Sequence, residues 1–149
     1  MDNRMVATLG VNINRPADEV FEYLRDVHRH NEWSPKPYRV EGIEGLVEAG
    51  STFVSYGWLP GKSDNRNDVE VTAFEPGRKI EFTATQDGHK FLNTFVLTPD
   101  GDKTRVEKTI DFYKPGGFAG TFVMPILFPA LIKPATQKAM VMLKDQLEA

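Results

Sequence analysis

Lys108 stands in the run Val106-Glu107-Lys108-Thr109-Ile110-Asp111-Phe112, where an extended chain puts Val106, Lys108, Ile110 and Phe112 on one face and Glu107, Thr109 and Asp111 on the other. The apolar face must be the inner one. An inward ammonium is expensive unless paired or hydrated, so a cavity holding water or an anionic ligand group accounts for Lys108 better than a dry core. The other reading is a lysine at the cavity mouth, one that snorkels to solvent, or one displaced by a bulge. Asn93 is the second polar intruder, because the same parity turns Phe91, Asn93, Phe95 and Leu97 inward. It suits either a ligand hydrogen bond or a satisfied internal one.

Other residues capable of chemistry carry weaker signals. His28 and His30 are two apart, which does not align them on one helical face, and no carboxylate cluster accompanies them. Surface histidines and no metal are expected. Trp33, Tyr56 and Trp58 are candidates for an aromatic cavity wall or for plain core. His89 follows Gly88 and reads as a solvent-facing turn residue, and Arg66, Asp68 and Glu70 read as solvated charges on an outer strand face. No nucleophile elbow, phosphate loop or paired-acid motif is present, so no catalytic set is assigned and no cofactor is expected.

These residues need elements to hold them. A first strand is predicted over 6–14, then a short helix over 16–25 opened by Pro16, with Asp18 and Glu19 at its positive end and Val20, Phe21, Leu24 and Val27 at helical spacing. A second short helix or turn is expected over 27–33, ended by the extended chain that Pro35 and Pro37 enforce. Strands follow at 38–44, 52–58, 66–75, 78–86, 89–98 and 103–112, joined by turns at 75–77, 86–88 and 99–102. Such short links make an antiparallel meander. Parity also turns Ile80, Phe82 and Ala84, and Val69, Val71 and Ala73, inward. Ile132, Ala135, Ala139, Leu143 and Leu147 form the buried stripe of a long C-terminal helix, and Pro125 and Pro129 should break or kink what precedes it. A seven-stranded sheet bent around one helix leaves space that the helix cannot fill, and such gaps become ligand cavities.

Composition sets the outer limits. The 149 residues fit one domain, and 18 Lys and Arg against 21 Asp and Glu, without blocks of like charge, argue against nucleic acid. Zero cysteines exclude disulfides and thiolate chemistry, and the start of the chain lacks the zones of a signal peptide, so the cytoplasm is expected. The apolar stretch 118–132, interrupted by Thr121, Pro125 and Pro129, is too short to span a bilayer.

Four stretches carry a resemblance over nearly the whole chain: Arg15-Pro16-Ala17-Asp18-Glu19-Val20-Phe21, Trp33-Ser34-Pro35, Glu48-Ala49-Gly50-Ser51-Thr52-Phe53, and Leu97-Thr98-Pro99 with Lys103-Thr104-Arg105-Val106. In this order the sequence resembles the START/Bet v 1-like superfamily, in particular its polyketide cyclase/dehydrase-like branch. The resemblance implies an α+β helix-grip fold and says little of ligand or activity, because the superfamily has no shared catalytic motif. The expected function is binding of a hydrophobic small molecule such as a lipid, quinone or polyketide-like aromatic, by a monomer or weak homodimer. The expected lining is Trp33, Tyr56, Phe82, Phe91, Asn93, Phe95, Lys108, Ile110, Phe112 and, from a lid formed by 118–132, Phe122. The alternatives are a cyclase or dehydratase in which Lys108 or the Tyr56 hydroxyl polarises a carbonyl that Asn93 orients, and a module whose 118–132 segment docks transiently on a membrane or a partner.

Overall fold

The computed structural model describes residues 4–59, 62–86, 88–113, 117–118 and 122–149. Strand β1 (Arg4–Ile13) leads into helix α1 (Ala17–Leu24) and a 3-10 turn (Val27–Glu32). A meander follows: β2 (Arg39–Glu41), β3 (Thr52–Leu59), β4 (Lys62–Glu75), β5 (Lys79–Gln86), β6 (His89–Asp100) and β7 (Lys103–Tyr113). The chain ends in α2 (Met124–Leu127), a π turn (Phe128–Ile132) and the long helix α3 (Lys133–Glu148). All seven strands form one antiparallel sheet in the order β1-β7-β6-β5-β4-β3-β2, so the first strand is paired with the last.

Each short element has a local cause. Pro16 supplies a fixed φ of −67° just ahead of α1, and Asp18 and Glu19 lie in the first turn, where the helix dipole favours anions. The β4–β5 turn closes by a 2.9 Å bond from Arg78 N–H to the Glu75 carbonyl, with Gly77 at φ 74°, a conformation that a side chain would strain. In the final segment the Lys133 N–H reaches back to the Phe128 carbonyl, five residues away. That wider spacing accommodates Pro129 and Pro134, which have no N–H to give, so the apolar segment enters α3 through an irregular turn and not as one straight rod.

On the concave face, inward residues align in rows across the sheet. Phe53, Val69, Ala84, Phe91, Phe112 and Met5 form one row; Val71, Phe82, Asn93, Ile110 and Ala7 form the next; Ile80, Phe95, Lys108 and Leu9 form a third. Helix α3 buries Ala139, Met140, Leu143 and Leu147 against one end of this surface, together with Val20, Phe21 and Leu24 of α1. The tail of α3 is held at β1, where the Asn14 N–H donates to Glu148 Oε2 at 2.8 Å and Lys144 Nζ donates to the Asn12 carbonyl at 2.9 Å.

Three expectations are corrected. The strand expected over 38–44 is only Arg39–Glu41, and the one expected from 66 begins at Lys62. Asn65 and Asn67 occupy inward positions in that early part of β4, so hydrophobic alternation cannot report it. Ala73 does not face in with Val71. A bulge between Val71 and Ala73 adds a residue, after which Phe74 opposes Ile80 and packs its ring 5.3 Å from Phe21.

Candidate functional site

Toward the opposite end of α3 the helix and sheet diverge and leave a cavity of about 660 Å³. Its floor is the sheet, from Phe53 and Val69 through Phe82 and Phe91 to Ile110 and Phe112, and its cover is Leu127, Ile132, Thr136 and Ala139. The rings meet edge to face: Phe82 lies 6.3 Å from Phe95, Phe91 lies 6.4 Å from Phe112, and Trp33 lies 6.0 Å from Phe95. Eight of the ten expected residues, Trp33, Phe82, Phe91, Asn93, Phe95, Lys108, Ile110 and Phe112, line this one space.

Tyr56 and Phe122 do not. Phe53 and Ser55 are buried on the inner face, so parity sends Tyr56 outward, where its hydroxyl donates to Glu41 Oε2 at 3.3 Å and the Arg39 guanidinium lies 3.8 Å from its ring centre. Phe122 is 59% exposed and packs with its ring tilted against Phe118 at 5.1 Å, while Phe128 takes the inward place, 6% exposed and 5.4 Å from Phe112. The side chain of Trp58 lies outside the described residues.

Lys108 opposes Phe95 and Leu9 across the ladder. Its Nζ lies 5.3 Å from the Phe95 ring centre and 6.0 Å from that of Trp33, within reach of both π faces. No Asp or Glu is among the described lining residues. Burial without a carboxylate penalises the charged form and pulls the amine down to about 8.

Sequence reasoning missed His30. The 3-10 turn carries it to the cavity wall, 9% exposed, with its ring 4.8 Å from Trp33 and 5.7 Å from Phe82. Its Nε2 lies 2.8 Å from the Leu24 carbonyl, which can only accept, so the ring proton resides on Nε2. Burial, with a smaller contribution from the positive charge of Lys108, lowers its pKa to about 4 against the opposing pull of the Leu24 carbonyl. His30 is therefore neutral at pH 7. Only the break of α1 into a 3-10 turn distinguishes it from His28, which is exposed and bonds the Ile43 carbonyl at 2.9 Å.

A prediction follows from the sign of that shift. As pH falls from 6.5 toward 4, unfolded chains take up a proton that folded His30 resists, so stability is lost across that window. His30→Gln removes this dependence, and thermal melts at pH 7 and pH 4.5 should show a smaller acid-induced loss than the parent by on the order of 2 kcal/mol. Equal losses in both proteins would contradict the assignment.

One end of the chamber is polar. Ser55, Asn65, Asn67 and Gln86 come from the β3, β4 and β5 tips, with the Gln86 amide bonded to Asn65 Oδ1 and Asn67 Nδ2 donating to the Asn65 carbonyl at 3.1 Å. Tyr38 borders them, its phenol pushed up to about 12 by burial despite the hydrogen bond with Ser55. Asn67 Oδ1 and Trp33 Nε1 are buried without a hydrogen-bond partner among the described residues, and both residues line the cavity. An acceptor and a donor are thus available to a molecule within. His89 stands exposed at the rim, and the Arg66–Asp68 pair, at 3.1 Å, lies exposed on the outer face.

A curved antiparallel sheet gripping one long helix around an apolar chamber defines the helix-grip class. The chain belongs to the polyketide cyclase/dehydrase and lipid transport family within the START/Bet v 1-like superfamily, and the family's sequence profile matches residues 5–148. Among solved structures it is similar to the Zhui aromatase/cyclase of a Streptomyces, with 18% identity, a TM-score of 0.78, and 97% of this chain and 94% of the other covered. A Thermus thermophilus protein gives 18% identity and a TM-score of 0.74 with 97% of each chain covered. The protein Ara h 8.0201 gives 13% and 0.70 with 97% of this chain and 98% of the other. At these identities the likeness is one of fold. No curated protein matches the sequence.

Proposed function

We propose that this protein binds one hydrophobic small molecule, such as a lipid, quinone or polyketide-like aromatic, with its polar group directed at Lys108. The observation that carries this reading is a cavity of about 660 Å³, mostly apolar, with an amine on its wall and an indole N–H and an amide oxygen that have no partner among the described residues. That volume lies in the range of small-molecule sites, and a few fixed polar groups in an apolar lining set orientation. The family's cyclase and dehydrase members make chemistry on the bound molecule the alternative, with Lys108 to polarise a carbonyl and Asn93 to orient it.

Filling the space tests the proposal. Ala84 is 7% exposed in the middle of the floor, so Ala84→Trp should plug the cavity and weaken binding of 1-anilinonaphthalene-8-sulfonate by at least about tenfold. The melting temperature should hold. A variant that binds the probe as the parent does, or one that loses the about 1–3 kcal/mol typical of an overpacked core, would show that the space is not an open binding site.

A second reading concerns loading. No described helix is long and apolar enough to cross a membrane, yet Phe118, Ile126 and Leu131 are 73%, 70% and 49% exposed beside the cavity cover. The sequence from 112 to 144 has four lysines and no acid, which suits an anionic bilayer surface. Phosphatidylglycerol vesicles should float the protein more than phosphatidylcholine vesicles do, and Ile126→Asp should reduce that recovery severalfold. Equal recovery of parent and variant would dismiss the membrane face.

A further inference from the structure

We infer that the ε-amine of Lys108 is a site of reversible covalent capture, taking an aldehyde or ketone of an apolar molecule as an imine. The inference rests on the cavity reading above and adds a reaction to it.

Lysines ordinarily extend into solvent, whereas this one is held between Val106 and Ile110 on the concave face, with Phe95 beneath it and Trp33 beside it. Among the described residues, the other titratable groups on the chamber wall are His30, Tyr38 and, exposed at the rim, His89. The 3-10 turn brings neutral His30, and Tyr38, a neutral phenol, borders the chamber. From β6 comes Asn93, which is not titratable, and α3 contributes Thr136 and Ala139 to the cover. A structural lysine at this depth would be expected to meet a carboxylate, and the described lining has none.

Such surroundings hold part of the amine in its free-base form near neutral pH, which is how buried lysines become nucleophiles. The neutral nitrogen adds its lone pair to the carbonyl carbon, giving a carbinolamine. Loss of the hydroxyl as water, with one proton from nitrogen, leaves the C=N bond. One carbonyl and one amine yield one imine and one water, and no oxidant or reductant is needed. Hydrolysis reverses the step. His30, whose proton lies on Nε2 and whose Nδ1 is unprotonated, shares the chamber wall without adding a charge to it. The apolar rings around the nitrogen limit the water available for hydrolysis and so favour the bound form.

The test uses the purified full chain, freed of bound molecules, with trans-cinnamaldehyde as probe and sodium cyanoborohydride to fix any imine, read by intact mass and peptide mapping. One adduct should form at Lys108, at least about tenfold faster at pH 7 than at any other lysine, because surface amines are almost wholly protonated there. Its rate should rise to half-maximum near pH 8, where the amine of Lys108 titrates. Lys108→Met should lose the fast adduct, and so should Lys108→Arg, which keeps a cation but cannot form an imine. Binding of trans-cinnamyl alcohol, which fits the same space without a carbonyl, separates the two proposals. If the alcohol binds and Lys108 is not labelled, covalent capture is overturned while the cavity reading stands. If neither binds, the cavity reading falls. Fast adduct formation in Lys108→Met or Lys108→Arg at the parent's rate would also overturn the inference.

Discussion

Lys108→Met is expected to weaken binding of a ligand bearing a carboxylate or carbonyl by about 10- to 100-fold, the loss of one charged hydrogen bond worth about 1.5–3 kcal/mol. The unliganded variant should at the same time be more stable than the parent. The folded amine titrates near 8 and the unfolded one near 10.5, so below pH 8 the parent carries the full cost of burying the ammonium. That cost disappears as pH rises from 8 to 10.5, where unfolded chains still bind a proton that folded chains have released. Parent stability therefore climbs through that window, by up to about 3 kcal/mol, while the methionine variant stays level. Calorimetric titration with an apolar carboxylate and thermal melts at pH 7 and pH 10 check both halves. Unchanged affinity, or a variant less stable than its parent at pH 7, would count against an amine held ready for a ligand.

Leu143→Ala should have the largest effect on stability, a loss of about 3–5 kcal/mol. Leu143 is 0% exposed and belongs to the solid end of the interior, with Phe21, Leu24, Ile80, Leu97 and Val106 in the same cluster. None of these residues lines the chamber. Phe112 belongs to the smaller cluster around the cavity, with Ala7, Ile110 and Phe128, and its truncation should cost less because one side of the ring already faces open space. Urea unfolding of Leu143→Ala and Phe112→Ala should rank them in that order. Equal costs would show that the two ends of the interior are packed alike.

The strand parity of β5, β6 and β7 was legible because apolar residues dominate one face of each strand, and that parity placed Asn93 and Lys108 on the inner face as its two polar exceptions. The polar end of the chamber was not legible. Asn65 lay outside the strand expected from 66 and Gln86 in the turn expected over 86–88, while Asn67, which shares the parity of Val69 and Val71, has no apolar side chain to mark it as part of a wall. The Thr72 bulge was equally silent, since an inserted residue leaves no mark in composition and reverses parity only from that point onward. His30 was hidden for a different reason: its burial depends on a single turn changing from α to 3-10 geometry, and sequence spacing cannot distinguish the two over six residues. Tyr56 was lost to parity as well, because an aromatic residue on a strand reads as core whichever face it takes.

The most direct measurement is native mass spectrometry of the freshly purified protein, followed by denaturation and identification of what is released. The account predicts a single apolar molecule bound one to one, carrying a carbonyl or carboxylate and small enough for a cavity of about 660 Å³. Ala84→Trp should emerge without it. A parent protein that always appears at its bare sequence mass, and that takes up no member of a panel of fatty acids, quinones and polycyclic aromatic ketones, would contradict the claim that this chamber exists to hold a ligand.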